Sequence, residues 1–252
     1  MRRLNIEIID LNADVGEGCG YDAALMPFIT SANVAAGLHA GSPEILRETV
    51  RLAAHHGVNV GAHPGFHDRE NFGRRELALA PSAIESLVLE QLQVVADAAV
   101  AEGVRMVHVK PHGALYNMAA KDRVVADATA RAIVAFDPSL TLFAPPYSQL
   151  FAAGGVAGLR VLGEAFADRA YHRDGSLVPR HVRGAVIDDK AVAVARAVRM
   201  ASESVVVTAD GSELHMEAGT ICVHGDTPGC VAMAHAIRSA LDDLSRGSRS
   251  AM

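Results

Sequence analysis

Apolar positions along the chain fall into short runs, separated by longer stretches in which they recur every three or four residues. The runs "IEIIDLN", "VNVGAHP", "RMVHVKPHG", "LTLFAPP", "LRVLGEAF", "SVVVTAD" and "TICVHGD" are rich in β-branched or aliphatic residues, and most close on Gly, Pro or Asp, as strands do. Their near-continuous apolar character suits strands covered on both faces, the situation of a parallel sheet. The stretches between them read as helices. Ser42 is placed to cap one, with Pro43 in its first turn and Gly57 after its last residue. Ile84, Val88, Leu92, Val95 and Ala99 mark the buried stripe of a second helix over Pro81–Glu102, which Gly103 stops. Asp122 is expected to cap "RVVADATARAIVAF" and Asp188 to cap "DKAVAVARAVRMA", while Thr227 and Pro228 open the last helix.

Strand–helix alternation without a long linker predicts one α/β domain over residues 1–244 and a disordered tail over 245–252. The fold class it predicts is a (β/α) barrel of about seven strands, with a doubly wound open sheet as the alternative.

The polar residues gather where strands end. Asp10, Asn12, Asp14 and Glu17 follow the first run, His63 the second, Lys110 and His112 the third, Glu164 and Asp168 another, and His224 and Asp226 the last. In a parallel barrel all strand C-termini open on one face, so these side chains are expected to share one site. Asp14 and Glu17 read either as a base and a ligand or as turn acids. His63 and His112, each followed by Pro or Gly, can combine with a carboxylate such as Asp14 in a two-His-one-carboxylate divalent metal site. His39 lies before a helix N-terminus and is read as a substrate contact. Arg74 or Arg75 can clamp a carboxylate. Cys222 reads as core, His55 and His56 as helix-end residues that favour the dipole, and His235 as a surface or packing residue.

Composition narrows the function classes. Of 252 residues, 50% are hydrophobic and 21% charged, an ordinary globular balance. A net charge of −6 argues against binding nucleic acid through its backbone. Three cysteines without a C-x-x-C pair argue against a disulfide framework. Early polar residues (Asn5, Glu7, Asp10) argue against a signal-peptide core, and no apolar run reaches the roughly 20 residues of a membrane span. A reduced, cytoplasmic protein with no membrane partner is expected. The glycines at 16, 18 and 20 lack the Gly-Lys-Ser/Thr ending of a phosphate loop, so nucleotide chemistry is expected to need partner chains.

The motifs "DLNADVGEG", "ANVAAGLHAGSP", "VGAHPGF", "ENFGRRE", "HVKPHGALYN", "EAFADRAY", "GSLVPR" and "ICVHGDTP", in this order from Ile9 to Pro228, resemble the LamB/YcsF family. The resemblance implies a seven-stranded barrel of the glycoside hydrolase/deacetylase type. It also implies ATP-dependent opening of 5-oxoproline (pyroglutamate) to L-glutamate, carried out as the A component of 5-oxoprolinase with partner subunits B and C. On that reading Asp14 activates water, His63 and His112 polarise or protonate the lactam, and Lys110 or Arg74 holds the carboxylate. Asn12, His39, Tyr116, Asn117 and Glu164 complete the substrate contacts. The chain departs from the family pattern at Ala36, Leu38 and Ser42, and Asp188 stands where a His is common. The alternatives are a metal-dependent amidohydrolase or carbohydrate deacetylase, and a non-catalytic subunit that presents substrate.

Overall fold

The computed structural model describes residues 9–227 and 229–250, the last four as helical backbone. Its strands are β1 (Asp10–Val15), β2 (Ser31–Ala35), β3 (Asn59–His63), β4 (Met106–Val109), β5 (Thr141–Ala144), β6 (Arg160–Phe166), β7 (Val205–Val207), β8 (Glu213–His215) and β9 (Thr220–His224). Its helices are α1 (Asp22–Leu25), α2 (Pro43–His56), α3 (Pro81–Ala101), α4 (Gly113–Lys121), α5 (Arg123–Phe136), α6 (Gln149–Val156), α7 (Lys190–Glu203) and α8 (Cys230–Ser250). Strands β1 to β6 and β9 close a barrel in which every pairing is parallel. The open-sheet alternative is thereby excluded.

The expected number of barrel strands holds, but the membership differs. "SVVVTAD" supplies β7, which pairs antiparallel with β8 in a separate two-stranded sheet. β6 pairs directly with β9, and the seventh barrel strand is β2, "SANVA", between β1 and β3, which the apolar pattern passes over. Ser31 and Asn33 are poor strand formers by propensity. They are held because both point into the barrel, where Ser31 donates to Asp10 and Asn33 to Asn12 and Asp14.

Several local signals act as their chemistry dictates. Ser42 Oγ accepts from the Ile45 amide at the start of α2, and Gly57 closes that helix at φ 66°, a left-handed conformation that glycine adopts without strain. Asp122 caps α5. Asp189, rather than Asp188, caps α7, accepting from the amides of Ala191 and Val192. α8 runs as helical backbone past residue 245. Arg246 pairs with Asp243 at 3.1 Å and Arg238 with Asp242 at 3.0 Å, and the i,i+3 and i,i+4 spacing of these charges carries α8 on to Ser250. The expectations for residues 1–8, Pro228, 251 and 252 fall outside the described residues.

Side chains from strands that are not neighbours meet only across the barrel lumen. Asn33 on β2 meets His108 on β4, and Asp14 on β1 meets Lys110 just beyond β4. By the two-residue period of a strand, Asp10, Asn12 and Asp14 therefore point inward while Leu11, Ala13 and Val15 point outward. Gly61 makes room for this: a Cβ there would lie 2.1 Å from His108 Nε2. The outward set, with Val34, Val60, Ala62, Val109, Ala165 and Ile221, is buried in the main apolar cluster formed with the surrounding helices. Each such aliphatic side chain larger than alanine contributes about 1.5–3 kcal/mol on burial. No helix among the described residues is long and apolar enough to cross a membrane.

Candidate active site

The lumen is polar and ordered in tiers. At its floor Asp10 accepts from Thr30, Ser31 and Thr220. Above that, Asn12 donates to Thr220 at 2.6 Å and accepts from Asn33 at 2.8 Å. His108 Nε2–H donates to Asn33 Oδ1 at 2.9 Å, and the His108 ring stacks on Phe143. Burial holds the His108 pKa down at about 3, with the charge of Lys110 adding to the effect.

The third tier carries the charge. Lys110, 2% exposed, lies 2.8 Å from Asp14 Oδ1, 3.0 Å from Glu164 Oε1 and 3.0 Å from Cys222 Sγ. Burial disfavours its ammonium, but the negative partners led by Asp14 outweigh that and hold its pKa well above the usual lysine value. The reciprocal holds for Asp14. Burial works to raise its carboxyl, and positive charge at His63 and Lys110 outweighs burial, so it stays ionised well below the usual range. Tyr116, on the inner face of α4, donates to Glu164 Oε2 at 2.6 Å. Burial first, and the Glu164 charge second, raise its phenol well above the usual value.

At the mouth stand three imidazoles and a carboxyl group. His63 Nε2 is 3.4 Å from Asp14 Oδ2 and 2.9 Å from His112 Nδ1. His39 stacks on His112 with ring centroids 3.9 Å apart. Glu17 Oε1 lies 3.4 Å from His112 Nδ1 and 3.5 Å from His39 Nε2. Burial, then the neighbouring charges of Asp14 and Asp226, raise the Glu17 carboxyl well above its ordinary value. Burial, then the charge of His63, lowers His39 to about 3; His112 is held well below the ordinary value by burial and by His39 and His63. On the opposite wall His224 Nδ1 meets Asp168 Oδ2 at 2.8 Å. On the rim Arg74 pairs with Asp226 at 2.5 Å and lies over the Phe72 ring, and Arg180 stands 3.9 Å from the same Asp226 oxygen.

Asp14, His63, Lys110 and His112 are thus brought together at the strand C-termini, with Asn12 below them, Glu164 and Tyr116 beside Lys110, and His39 over His112. Arg74 stands at the rim. Asn117 is not part of the site: one residue along a helix turns the side chain by about 100°, so while Tyr116 faces inward, Asn117 is exposed. Lys110 is not free to hold a substrate carboxylate, because Asp14 and Glu164 already flank it. Cys222 is buried as expected, yet its sulfur belongs to the charged tier. Asn33, His108 and Arg180 were not among the expected site residues. The alternation of Thr220, Cys222 and His224 along β9, and of Ser31 and Asn33 along β2, was the available signal for an inward polar face.

These features define a seven-stranded (β/α) barrel with a buried carboxylate–lysine pair and an imidazole cluster at its catalytic face. The chain matches the LamB/YcsF family model over residues 9–251 and belongs to that family. It is similar to a crystal structure of the lactam utilization protein from Thermus thermophilus, with 46% identity over 94% of this chain and 96% of that one, and a TM-score of 0.88. A protein from Enterococcus faecalis V583, assigned provisionally to cellobiose-phosphate cleavage, superposes with a TM-score of 0.50 at 10% identity. It covers 96% of this chain and 93% of its own, a likeness of fold alone.

Proposed function

We propose that this chain is the A component of an ATP-dependent 5-oxoprolinase, which opens 5-oxoproline to L-glutamate in the cytoplasm together with subunits B and C. The observation that carries the reading is the Asp14 carboxylate, held ionised by Lys110 at a strand end and 3.4 Å from His63. Family membership and the lactam named for the 46% identical relative support the substrate class.

The division of labour follows from what each group is free to do. Lys110 is engaged by two carboxylates, so the substrate carboxylate falls to Arg74 and Arg180 at the rim, which would exchange Asp226 for it. Ring opening adds one water across the lactam C–N bond. Asp14 takes a proton from that water as its oxygen bonds to the carbonyl carbon, and the leaving nitrogen gains a proton as the C–N bond breaks. With a cation held between their facing nitrogens, His63 and His112 are placed to steady charge on the carbonyl oxygen. An unstrained amide resists this attack, and ATP hydrolysis supplies the activation. The phosphate chemistry is assigned to B and C, since this sequence has no phosphate loop.

The test is glutamate release from 5-oxoproline and ATP by this chain alone and with B and C. Release that requires all three supports the reading. No release from the full set overturns the activity, and rapid release by the single chain overturns the division of labour. A metal-dependent amide or N-acetyl hydrolase is a second reading, favoured by the Glu17–His39–His63–His112 cluster; glutamate release that depends on ATP counts against it.

A further inference from the structure

His63 and His112 face each other through nitrogens that share a problem. His63 Nδ1 is 2.7 Å from the Lys110 carbonyl oxygen and His112 Nε2 is 2.8 Å from the Phe72 carbonyl oxygen. A carbonyl oxygen only accepts, so each of these nitrogens carries the ring's hydrogen. In the neutral rings the remaining nitrogens, His63 Nε2 and His112 Nδ1, are then both lone-pair acceptors, yet they sit 2.9 Å apart. Two acceptors hold that distance only with a cation between or beside them, either a proton or a metal ion.

The surroundings distinguish the two. One proton would need one donor–acceptor pair, but four donor atoms converge here. Glu17, His39, His63 and His112 are all buried and can each present one ligand atom within 4.8 Å of the others. Glu17 Oε1 and both His39 ring nitrogens have no hydrogen-bond partner among the described residues. In a tetrahedral zinc site with bonds of about 2.0–2.1 Å, neighbouring donors stand about 3.3 Å apart. The separations of 2.9, 3.4, 3.5 and 4.0 Å bracket that value. The cradle is tight. A Cβ at Gly65 would lie 2.7 Å from His39 Nδ1, and one at Gly73 would lie 2.8 Å from His39 Cβ and 2.9 Å from His112 Cδ2. Backbone carbonyls that fix the tautomer of ligating histidines are the usual outer support of such a centre.

We infer that Glu17 Oε1, His39 Nε2, His63 Nε2 and His112 Nδ1 form a binding site for one divalent transition ion of the zinc type. Three imidazoles and one carboxylate suit zinc, cobalt or iron and disfavour magnesium and calcium, which take oxygen ligands. The donor set differs from the one the sequence suggests: Asp14 is left to Lys110 and Asn33, and Glu17 and His39 take its place. A second convergence, of Asp14, Cys222 and His224, is the weaker candidate, because the Lys110 ammonium already stands 2.8 Å from Asp14 and 3.0 Å from Cys222. The site rests on geometry and stands whether or not the chain opens 5-oxoproline.

The test uses the full chain, purified without a polyhistidine tag, stripped with chelator and titrated with zinc, then separately with cobalt and magnesium. One zinc ion per chain should survive gel filtration, and magnesium should not compete. The cobalt form should show the visible bands of a four-coordinate ion without a thiolate charge-transfer band. Glu17→Gln and His39→Gln should each weaken zinc binding by about 100-fold or more, beyond the loss of an outer-shell partner. Replacing His55 and His56, an exposed adjacent pair in the last turn of α2 and outside the cluster, by alanine should leave the stoichiometry unchanged. Failure of the native chain to retain zinc overturns the proposal and leaves a shared proton between His63 and His112. Undiminished binding in folded Glu17→Gln and His39→Gln variants overturns it too, as does a thiolate band, which would move the ion to Cys222. The cobalt spectrum and stoichiometry of the native chain decide the matter even if the variants do not fold.

Discussion

The two faces of the barrel wall bury their side chains about equally well, and they do opposite things with that burial. On β1, Leu11 and Ala13 point outward and Asn12 and Asp14 inward; the first three are 0% exposed and Asp14 is 6% exposed. The outward residues lose only apolar contact with water, and burial stabilises them directly. Each inward polar group loses hydration, which disfavours folding unless a partner replaces it. The lumen therefore closes as a network in which Thr220, Asn33 and Lys110 are each shared between two or more partners. The outer face supplies stability, and the inner face spends part of it on groups held in reactive states.

Four substitutions test that contrast, taken from the largest expected effect to the smallest. Asp14→Asn keeps the shape and removes the basic oxygen, and glutamate release by the reconstituted complex should fall by roughly 10²- to 10⁴-fold. Glu164 still neutralises Lys110 in that variant, so its melting temperature should move less than the next one's. Near-normal turnover would take Asp14 out of the chemistry. Lys110→Met strands Asp14 and Glu164 as buried charges without a cation. Denaturant unfolding should show a loss of about 3–5 kcal/mol; a loss under about 1 kcal/mol would mean that the tier is not held by charge.

Ile221→Ala removes an outward side chain that is 0% exposed and should cost about 2–5 kcal/mol in the same measurement. Turnover per folded molecule should be unchanged, and a parallel loss of turnover would break the separation between the two faces. The smallest effect is one of pH. His108 is held neutral in the fold, with a pKa of about 3 against an ordinary 6.5. A lowered folded value means that the unfolded chain binds the extra proton, so this contribution to stability is full above pH 6.5 and drains as pH falls toward 3. The loss is about 1.4 kcal/mol per pH unit. His108→Gln should flatten the unfolding free energy against pH between about 6 and 4 by about that slope, and an unchanged slope would place the proton elsewhere.

The legibility of the fold in the sequence follows the same division. Strands with aliphatic residues on the outer face, such as "TICV" and "VNVGA", announce themselves, because hydrophobic periodicity is a local signal. β2 does not, since its inward Ser31 and Asn33 break the apolar run. Val205–Val207 looks like a better strand than β2 and lies outside the barrel, because strand propensity carries no information about which neighbour a strand pairs with. The site is readable to the extent that polar residues cluster at strand ends. Asn117 misleads because its neighbour Tyr116 is correctly inside and a helix turns about 100° between them. Cys222 reads only as core because its partner, Lys110, lies 112 residues away.

What the sequence determined by itself is most of the strand–helix alternation, the caps at Ser42 and Asp122, the parallel α/β class and the gathering of polar residues at strand ends. Each of these depends on interactions within a few residues or on a period of about two or 3.6. The tertiary structure alone decided that Lys110 is spoken for by Asp14 and Glu164. It alone decided that Glu17 and His39 join His63 and His112, and that Asp226 occupies the rim arginines. Those outcomes depend on distances across a closed lumen, where low dielectric makes a change of an ångström decide whether a charge is paired or stranded. No local pattern in the chain encodes a distance between strands that meet only after the barrel closes.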